Sequence, residues 1–206
     1  MLGGATQARS PHTLSAASNA AATYSVDNFQ AGFLRDSADG TKDPDMEDKT
    51  CQFFANRGLY SERTGHYRLK NAEGRETEDA AFGDCLVLLN GRGGIFDTKA
   101  YGGAYSPTLL DRKKMENYLS ESRIKVLAEK LGLAQVPDIQ FCCFVANRFK
   151  KTIDHKLKRI DSPVPVSAIT CRALLYCLNH DFNFERFIAL MRTGGLINVA
   201  DIVESD

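Results

Sequence analysis

Two carboxylates and one ammonium group lie close to a short hairpin of this sequence. Asp84 comes directly before the apolar run Cys85–Leu89, and Asp97 follows Ile95-Phe96, with Lys99 two residues further on. Because side chains alternate along a strand, Asp97 and Lys99 are expected on one face, and the hairpin register can bring Asp84 to the same edge. Such a group suits Mg²⁺, which prefers oxygen ligands, together with an activated water.

The spacing of these residues does not by itself decide between a metal site and an ion pair. An acidic residue two positions before a lysine occurs four times, at Glu47–Lys49, Asp97–Lys99, Asp111–Lys113 and Asp154–Lys156. Three of these pairs lie on predicted helices, where charges usually form a solvated face. The pair at Asp97 combines a predicted buried strand with another acid upstream. From the residues alone, a metal site and a structural ion pair both stay open.

The hairpin that carries these residues is predicted from its turn. The segment Asn90–Gly94 has the composition of a tight turn between two apolar strands. Both strands are apolar on two faces, which indicates the centre of a sheet covered by helices.

Helix signals on both sides of the hairpin complete the predicted fold. Asp43-Pro44 reads as an N-cap followed by proline at the first helical position, and Gly58 as a C-cap, so a helix is expected over about 44–57. A long helix is expected from Ser106-Pro107 to about Leu131, and residues 60–80 are expected to form a long loop or weak strand. Further strands are predicted at Ile139–Ala146 and Pro163–Ile169, and a last helix at about 183–192. The order predicts an α/β domain with a central mixed β-sheet flanked by helices.

Composition restricts the class of protein. The chain has 206 residues, of which 43% are apolar and 25% charged, as in an ordinary globular domain. Residues 1–23 are rich in Ala and Ser, so we expect a flexible arm or linker there and a folded domain over 24–206. The six cysteines lie mostly in apolar runs without metal-ligand spacing, which favours buried free thiols and a cytoplasmic setting. No stretch is long and apolar enough to predict a membrane partner.

The residues around Lys99 resemble a known family. The run Phe96-Asp97-Thr98-Lys99-Ala100-Tyr101-Gly102-Gly103-Ala104-Tyr105 is similar to the signature of the FokI-type (type IIS) restriction endonuclease cleavage domain, in the PD-(D/E)XK nuclease superfamily. Weaker likeness extends over roughly residues 27–198. It includes Met46-Glu47, Phe53-Phe54, Met115–Tyr118, Phe144-Val145 and Phe149-Lys150.

The resemblance implies a restriction-endonuclease-like fold and a specific chemistry. It implies that Asp84, Asp97 and Lys99 are catalytic, with Asp84 and Asp97 holding Mg²⁺, for which Mn²⁺ could substitute. The expected reaction is in-line hydrolysis of phosphodiester bonds in double-stranded DNA by a metal-activated water. Glu47 matches an acidic position that could support the metal without binding it directly, and the alternative for Glu47 is a capping or surface charge.

The sequence departs from the family pattern at three positions. Gly83 stands where the family has proline before the first acid, and glycine can adopt the same backbone. The family's domains dimerise through the helix after the motif by complementary Asp and Arg charges, whereas the matching residues here are Lys113 and Asn117. That pairing is therefore not expected, and a transient homodimer through other contacts or no dimer at all both stay open.

A cluster of basic residues is the second candidate site. The strongest concentration of positive charge lies on a strand end and a short helix and consists of Arg148, Lys150, Lys151, Lys156, Lys158 and Arg159. They could contact DNA phosphates, and the alternative is a solvated helix face.

Net charge indicates how firmly the chain would hold DNA. The 26 basic and 26 acidic residues cancel, which argues against tight nonspecific binding and predicts weak, salt-sensitive binding by the isolated chain. The leading hypothesis is a cleavage module that reads little sequence itself and is brought to DNA by a recognition domain or protein. The alternatives are a catalytically inactive DNA-associated or protein-interaction module with this fold, and a repair or recombination nuclease for branched or damaged DNA.

Overall fold

The computed structural model describes residues 26–70, 76–180 and 183–203. Within those ranges the strands are β1 (Tyr60–Arg63), β2 (Arg68–Lys70), β3 (Glu76–Ala81), β4 (Cys85–Leu89), β5 (Arg92–Lys99), β6 (Asp138–Ala146), β7 (Val166–Thr170) and β8 (Gly195–Ile197). The helices there are α1 (Val26–Ser37), α2 (Asp43–Ala55), α3 (Leu109–Tyr118), α4 (Glu121–Lys130), α5 (Ile153–Leu157), α6 (Cys171–Asn179), α7 (Phe184–Met191) and α8 (Val199–Val203). The arm expected over residues 1–23 lies outside the described residues and stays a prediction.

Six strands form one mixed sheet, in the order β1-β4-β5-β6-β7-β8. The strands β1, β4 and β5 pair antiparallel, whereas β5, β6, β7 and β8 pair parallel. Strand β5 is therefore the junction between the two halves of the sheet. The strands β2 and β3 form a separate two-stranded sheet. The predicted central mixed sheet flanked by helices is confirmed.

Alternation along β5 sends side chains into two separate hydrophobic cores. Phe96 belongs to the core that includes Phe54 of α2 and residues of α6 and α7. Ile95 belongs to the opposite core, with Met115 of α3 and Leu127 of α4. Asp97 has the same strand parity as Ile95, so its side chain lies on the face covered by α3.

The predicted hairpin is confirmed, with a two-residue turn. Asn90 and Gly91 both have positive φ, 51° and 78°, as the tightest hairpin turns require. Strand β5 begins at Arg92, earlier than the predicted start near Ile95. Its next two residues are glycines because the neighbouring strands approach closely: a Cβ at Gly93 would collide with the Val87 carbonyl oxygen, and one at Gly94 with the Phe141 ring.

The long helix predicted after the hairpin was wrong in its extent. The long helix expected from Ser106 to Leu131 is two helices, because Ser120 adopts an extended conformation (φ −64°, ψ 136°) and its hydroxyl donates to the Asn117 carbonyl. Residues 60–80, expected as loop or weak strand, contain the edge strand β1 and part of the β2–β3 sheet. Strand β8, which begins at Gly195, and helix α8 follow the helix at about 183–192 that was expected to be the last element.

The structure shows the state of the cysteines and the length of the helices. All six cysteines are free thiols and buried, as predicted. In the part of the chain that the structure describes, every helix is too short or too polar to cross a membrane.

Candidate active site

Strand β5 brings Asp97 and Lys99 together at its carboxyl end. The Lys99 Nζ lies 3.1 Å from Asp97 Oδ1, to which it donates a hydrogen bond, and 3.0 Å from Oδ2. Asp97 is 2% exposed, whereas the Lys99 side chain is 24% exposed. The pair therefore combines a buried carboxylate with a lysine side chain that is partly exposed.

Asp84 joins this pair from the neighbouring strand. Its backbone N–H donates to the Phe96 carbonyl (2.8 Å), which fixes it beside the end of β5. Its carboxylate Oδ2 accepts hydrogen bonds from the backbone N–H (2.6 Å) and hydroxyl (3.1 Å) of Thr98. Asp84 is thus held by the residue between Asp97 and Lys99, and the three predicted residues lie at one edge of the sheet.

The close approach of these charges changes their proton affinities. Burial raises the pKa of the Asp84 carboxyl well above its ordinary value, and the negative charges of Asp97 and Glu47 add to this effect. Burial lowers the pKa of the Lys99 ammonium, but the charges of Asp97 and Asp84 outweigh burial and raise it above the ordinary value. Lys99 is therefore a cation at neutral pH and not a general base.

The carboxylates carry features that fit a divalent cation. Asp97 Oδ2 is buried and accepts no hydrogen bond, although Lys99 Nζ is in ion-pair contact with it. The raised pKa of Asp84 means that its negative charge is poorly compensated by the protein. Among the described residues no group of three or more His, Cys, Asp or Glu is placed to hold a metal. A cation here would have two carboxylate ligands and otherwise water or phosphate oxygens, which is the coordination Mg²⁺ commonly adopts.

Glu47 approaches Asp84 from helix α2 across a glycine. A Cβ at Gly65 would lie 3.2 Å from Asp84 Oδ1 and 3.4 Å from Glu47 Oε2, so both carboxylates border the same small space. Arg63 of β1 contacts Glu47 Oε2 through Nε (2.9 Å) and Nη2 (2.7 Å) and Asp48 through Nη1 (2.9 Å). The acid is therefore placed to influence Asp84, and Arg63 offsets part of its charge.

The start of helix α3 forms another wall of the site. Asp111 Oδ2 accepts hydrogen bonds from the N–H and hydroxyl of Thr108, each 2.8 Å, in a capping box. The Tyr105 hydroxyl is buried and makes no well-aligned hydrogen bond. Burial, reinforced by the Asp111 charge, raises the pKa of Tyr105, so this hydroxyl stays protonated.

The segment after Lys99 is held by the region between α1 and α2. The Ala100 N–H donates to Asp43 Oδ1 (2.7 Å), and the Tyr101 N–H donates to the Ser37 carbonyl (3.0 Å). The prediction that Asp43 is an N-cap was wrong. Asp43 is the first residue of α2, Lys42 precedes it without a side-chain cap, and the Asp43 carboxylate reaches across to the residue after strand β5 instead.

The predicted basic cluster lies at the same edge of the sheet. The end of β6 is in register with the end of β5, with Ala146 opposite Lys99. Arg148 and Lys156 donate to carbonyls of the loop after β5, those of Gly102 (3.5 Å) and Pro107 (3.4 Å). Arg148, Lys150 and Lys151 are exposed and Lys156 is half-buried. The cluster thus adjoins the Asp84–Asp97–Lys99 group.

Several residues of the site carry no sequence signal that predicts their position. Arg63 and Gly65 lie in a segment expected to be irregular, and Asp43 has the pattern of a local cap. Thr98 stands inside the recognised run, and strand alternation alone would place its side chain opposite Asp97 and Lys99. Its contact with Asp84 depends on the hairpin register, which the sequence leaves open by one residue.

A comparison with protein families decides the membership of the chain. The family model of the FokI cleavage domain matches residues 10–185, which is most of the sequence. The chain belongs to the FokI cleavage-domain family. The resemblance seen in the run from Phe96 to Tyr105 is confirmed.

Solved structures of FokI share the fold. A structure of the restriction endonuclease FokI bound to DNA aligns with a TM-score of 0.63 and 19% identity, and covers 82% of this chain and 30% of that one. A structure of the restriction endonuclease FokI has a TM-score of 0.62 and 15% identity, covering 85% of this chain and 34% of that one. The chain therefore spans about a third of the length of each FokI chain. A search of curated proteins found no match.

Proposed function

We propose that this member of the FokI cleavage-domain family is a Mg²⁺-dependent endonuclease that hydrolyses phosphodiester bonds in double-stranded DNA. The observation that carries the proposal is the meeting of Asp84, Asp97 and Lys99 at the end of β5. Family membership supports a nuclease cleavage module, and the charges of these three residues support metal-dependent hydrolysis.

Each of the three residues has a distinct role in the proposed reaction. Asp84 and Asp97 would hold the cation, as supported by Asp97 Oδ2, which accepts no hydrogen bond, and by the raised pKa of Asp84. Bound there, Mg²⁺ supplies Lewis acidity toward the phosphate and the water, and Mn²⁺ could substitute. The Lys99 ammonium, cationic at neutral pH, stabilises the negative charge that develops on the phosphate oxygens. Thr98 holds the Asp84 carboxylate in place through two hydrogen bonds.

DNA would be held mainly through its phosphates. Arg148, Lys150, Lys151 and Lys156 adjoin the site and can follow the DNA backbone. One FokI structure that shares the fold is bound to DNA, which supports the same partner here. Because the chain has no net charge, its own affinity for DNA would be weak. A recognition domain or a separate protein would therefore recruit it to DNA.

Dimerisation would differ from charge pairing across α3. Lys113 and Asn117 are exposed on this helix and offer no complementary Asp and Arg pair. A transient homodimer on DNA would therefore use other contacts.

Cleavage of supercoiled plasmid tests the proposal. Wild-type protein with Mg²⁺ is expected to nick or linearise the plasmid, and chelation with EDTA should stop the reaction. Asp97→Asn should be inactive, whereas the matched control Asp138→Asn should match the wild type. Asp138 lies at the opposite end of the sheet in an exposed ion pair with Arg92. Equal cleavage by all three proteins would refute the assignment.

Metal binding separates an active nuclease from an inactive module with the same fold. Titration calorimetry with Mg²⁺ and Mn²⁺ should give binding by the wild type and by Asp138→Asn, but not by Asp97→Asn. Absence of binding by the wild type would favour the inactive module. A panel of duplex, single-stranded and junction substrates would show whether a branched DNA is cut in preference to plain duplex.

A further inference from the structure

We infer that Asp43 is a positioning residue for Lys99, an inference that rests on the proposed function. Its carboxylate Oδ1 accepts a hydrogen bond of 2.7 Å from the backbone N–H of Ala100. Ala100 follows Lys99 directly, so the first residue of α2 is attached to the backbone next to the proposed catalytic ammonium. The contact joins residues 57 positions apart in the chain.

The contact acts where the sheet stops holding the backbone. The ladder between β5 and β6 ends with Lys99 opposite Ala146, and β5 itself ends at Lys99. Beyond that point the orientation of the Lys99 backbone depends on what holds Ala100. A hydrogen bond to a carboxylate is shorter and stronger than one between neutral groups, and the distance of 2.7 Å is in that range.

Neighbouring contacts place the same turn against the α1–α2 connection. The Tyr101 N–H donates to the Ser37 carbonyl (3.0 Å), and a Cβ at Gly102 would lie 3.3 Å from the Ala38 carbonyl oxygen. These contacts use the backbone, so side-chain substitution leaves them in place. Asp43 contributes through its side chain, and a single substitution can therefore remove its contact without removing the others.

Helical spacing gives α2 two contacts with the site. Asp43 and Glu47 are four residues apart and lie on the same face of the helix. Asp43 holds the backbone after Lys99, and Glu47 borders the same space as Asp84 Oδ1. Helix α2 thus lies beside both strand ends, and Asp43 holds the backbone at the Lys99 end.

Three variants test the role of Asp43. Asp43→Ala removes the acceptor, and Asp43→Asn keeps an oxygen that can accept from Ala100. Asp45→Ala is the matched control, because it removes an acid from the same first turn whose ion pair is with exposed Lys42. Cleavage of a DNA duplex gives kcat and KM, and NMR of the metal-free protein gives amide exchange at Ala100 and the Lys99 ¹³Cε signal.

The expected result is a specific loss in Asp43→Ala. Its kcat should fall on the order of 10-fold to 100-fold, as for a small displacement of a catalytic group, with KM little changed. Ala100 exchange should quicken and the Lys99 signal should shift, while Asp43→Asn restores most of each property and Asp45→Ala behaves as wild type.

Other outcomes would overturn the inference or the function separately. An unchanged Lys99 signal in Asp43→Ala, an unchanged kcat despite faster Ala100 exchange, or an equal loss in Asp45→Ala would each overturn the positioning role. A wild-type protein that cleaves no DNA would overturn the proposed function, and the two NMR measurements would still decide whether Asp43 positions Lys99.

Discussion

The two ends of strand β5 carry the same kinds of charge in opposite settings. At its start, Arg92 pairs with Asp138 (3.7 Å) and Glu185 (3.2 Å), and the three side chains are 44%, 60% and 52% exposed. At its end, Lys99 pairs with Asp97 at 3.0 Å, and the Asp97 side chain is 3% exposed. One strand therefore connects a solvated ion pair with a buried one.

The difference shows that burial and charge balance, more than ion pairing itself, distinguish a candidate site. Exposed pairs such as those of Arg92 are screened by water and contribute little. At the other end, the buried Asp97 and the half-buried Asp84 share one ammonium group, which leaves part of their negative charge uncompensated. Such an arrangement lowers the stability of the metal-free fold, and it is suited to bind a cation.

In this comparison of the two ends of β5, the largest expected effect is on kcat when the Lys99 ammonium group is removed. Lys99→Met should lower kcat on the order of 10²-fold to 10³-fold, because it removes the charge that stabilises the reacting phosphate. Arg92→Met, the matched change at the opposite end of the strand, should leave kcat unchanged. Single-turnover cleavage of a labelled duplex measures both. Similar losses in the two variants would show that the ends of β5 do not differ in function.

A smaller effect is expected on DNA affinity. The double variant Arg148→Ala/Lys150→Ala should raise KM several-fold and reduce the slope of log K against log salt by about 2, because each lost phosphate contact changes that slope by about 1. The charge-matched control is Arg57→Ala/Arg192→Ala, which removes two exposed arginines that follow the ends of α2 and α7. Fluorescence anisotropy over a series of salt concentrations measures both, and equal slopes for the two double variants would remove the basic cluster from the proposed interface.

The smallest expected effect is on stability. The folded-state pKa of Asp84 lies above its ordinary value. The protonated Asp84 carboxyl therefore stabilises the fold at low pH, and this stabilisation is lost as the pH rises through the folded-state pKa. Asp84→Asn should therefore raise the Tm at pH 7.5, in EDTA, by about 2–4 °C, and this gain should shrink on acidification.

The control for the stability prediction is again at the other end of β5. Asp138 is exposed and paired with Arg92, so Asp138→Asn should change the Tm by no more than about 1–2 °C at either pH. Calorimetric unfolding at pH 7.5 and pH 5.5 measures both variants. A lower Tm for Asp84→Asn at pH 7.5 would contradict the expectation that the half-buried Asp84 carboxylate destabilises the fold.

The parts of the fold that were predictable depend on local chemistry. Asn90-Gly91 has the residues that a two-residue turn requires, and strand alternation predicts that Asp97 and Lys99 share a face. The break at Ser120 was missed because the apolar stripe continues on both sides of it, so the pattern resembles a single helix. Periodicity reports which face is buried and does not show where one helix ends and another begins.

The contacts that complete the site were not predictable for a different reason. Asp43 has the sequence context of a cap, yet its partner is 57 residues away. Arg63 reaches Glu47 from 16 residues away in a segment without strand signals. Such partners depend on how α2 packs against the sheet, and local patterns in a single sequence do not predict that packing.

The glycine pair of β5 affects how tolerance to mutation should be interpreted. Gly93 and Gly94 lie where any Cβ would meet the Val87 carbonyl or the Phe141 ring. In a library of variants, substitutions at either position would therefore be inactive because the protein fails to fold. Substitutions of Asp97, three residues beyond Gly94, would instead give a folded protein that fails to cleave DNA. Along this strand, intolerance to substitution therefore has two separate origins. A selection that reports abundance and cleavage independently would assign each position of β5 to its origin.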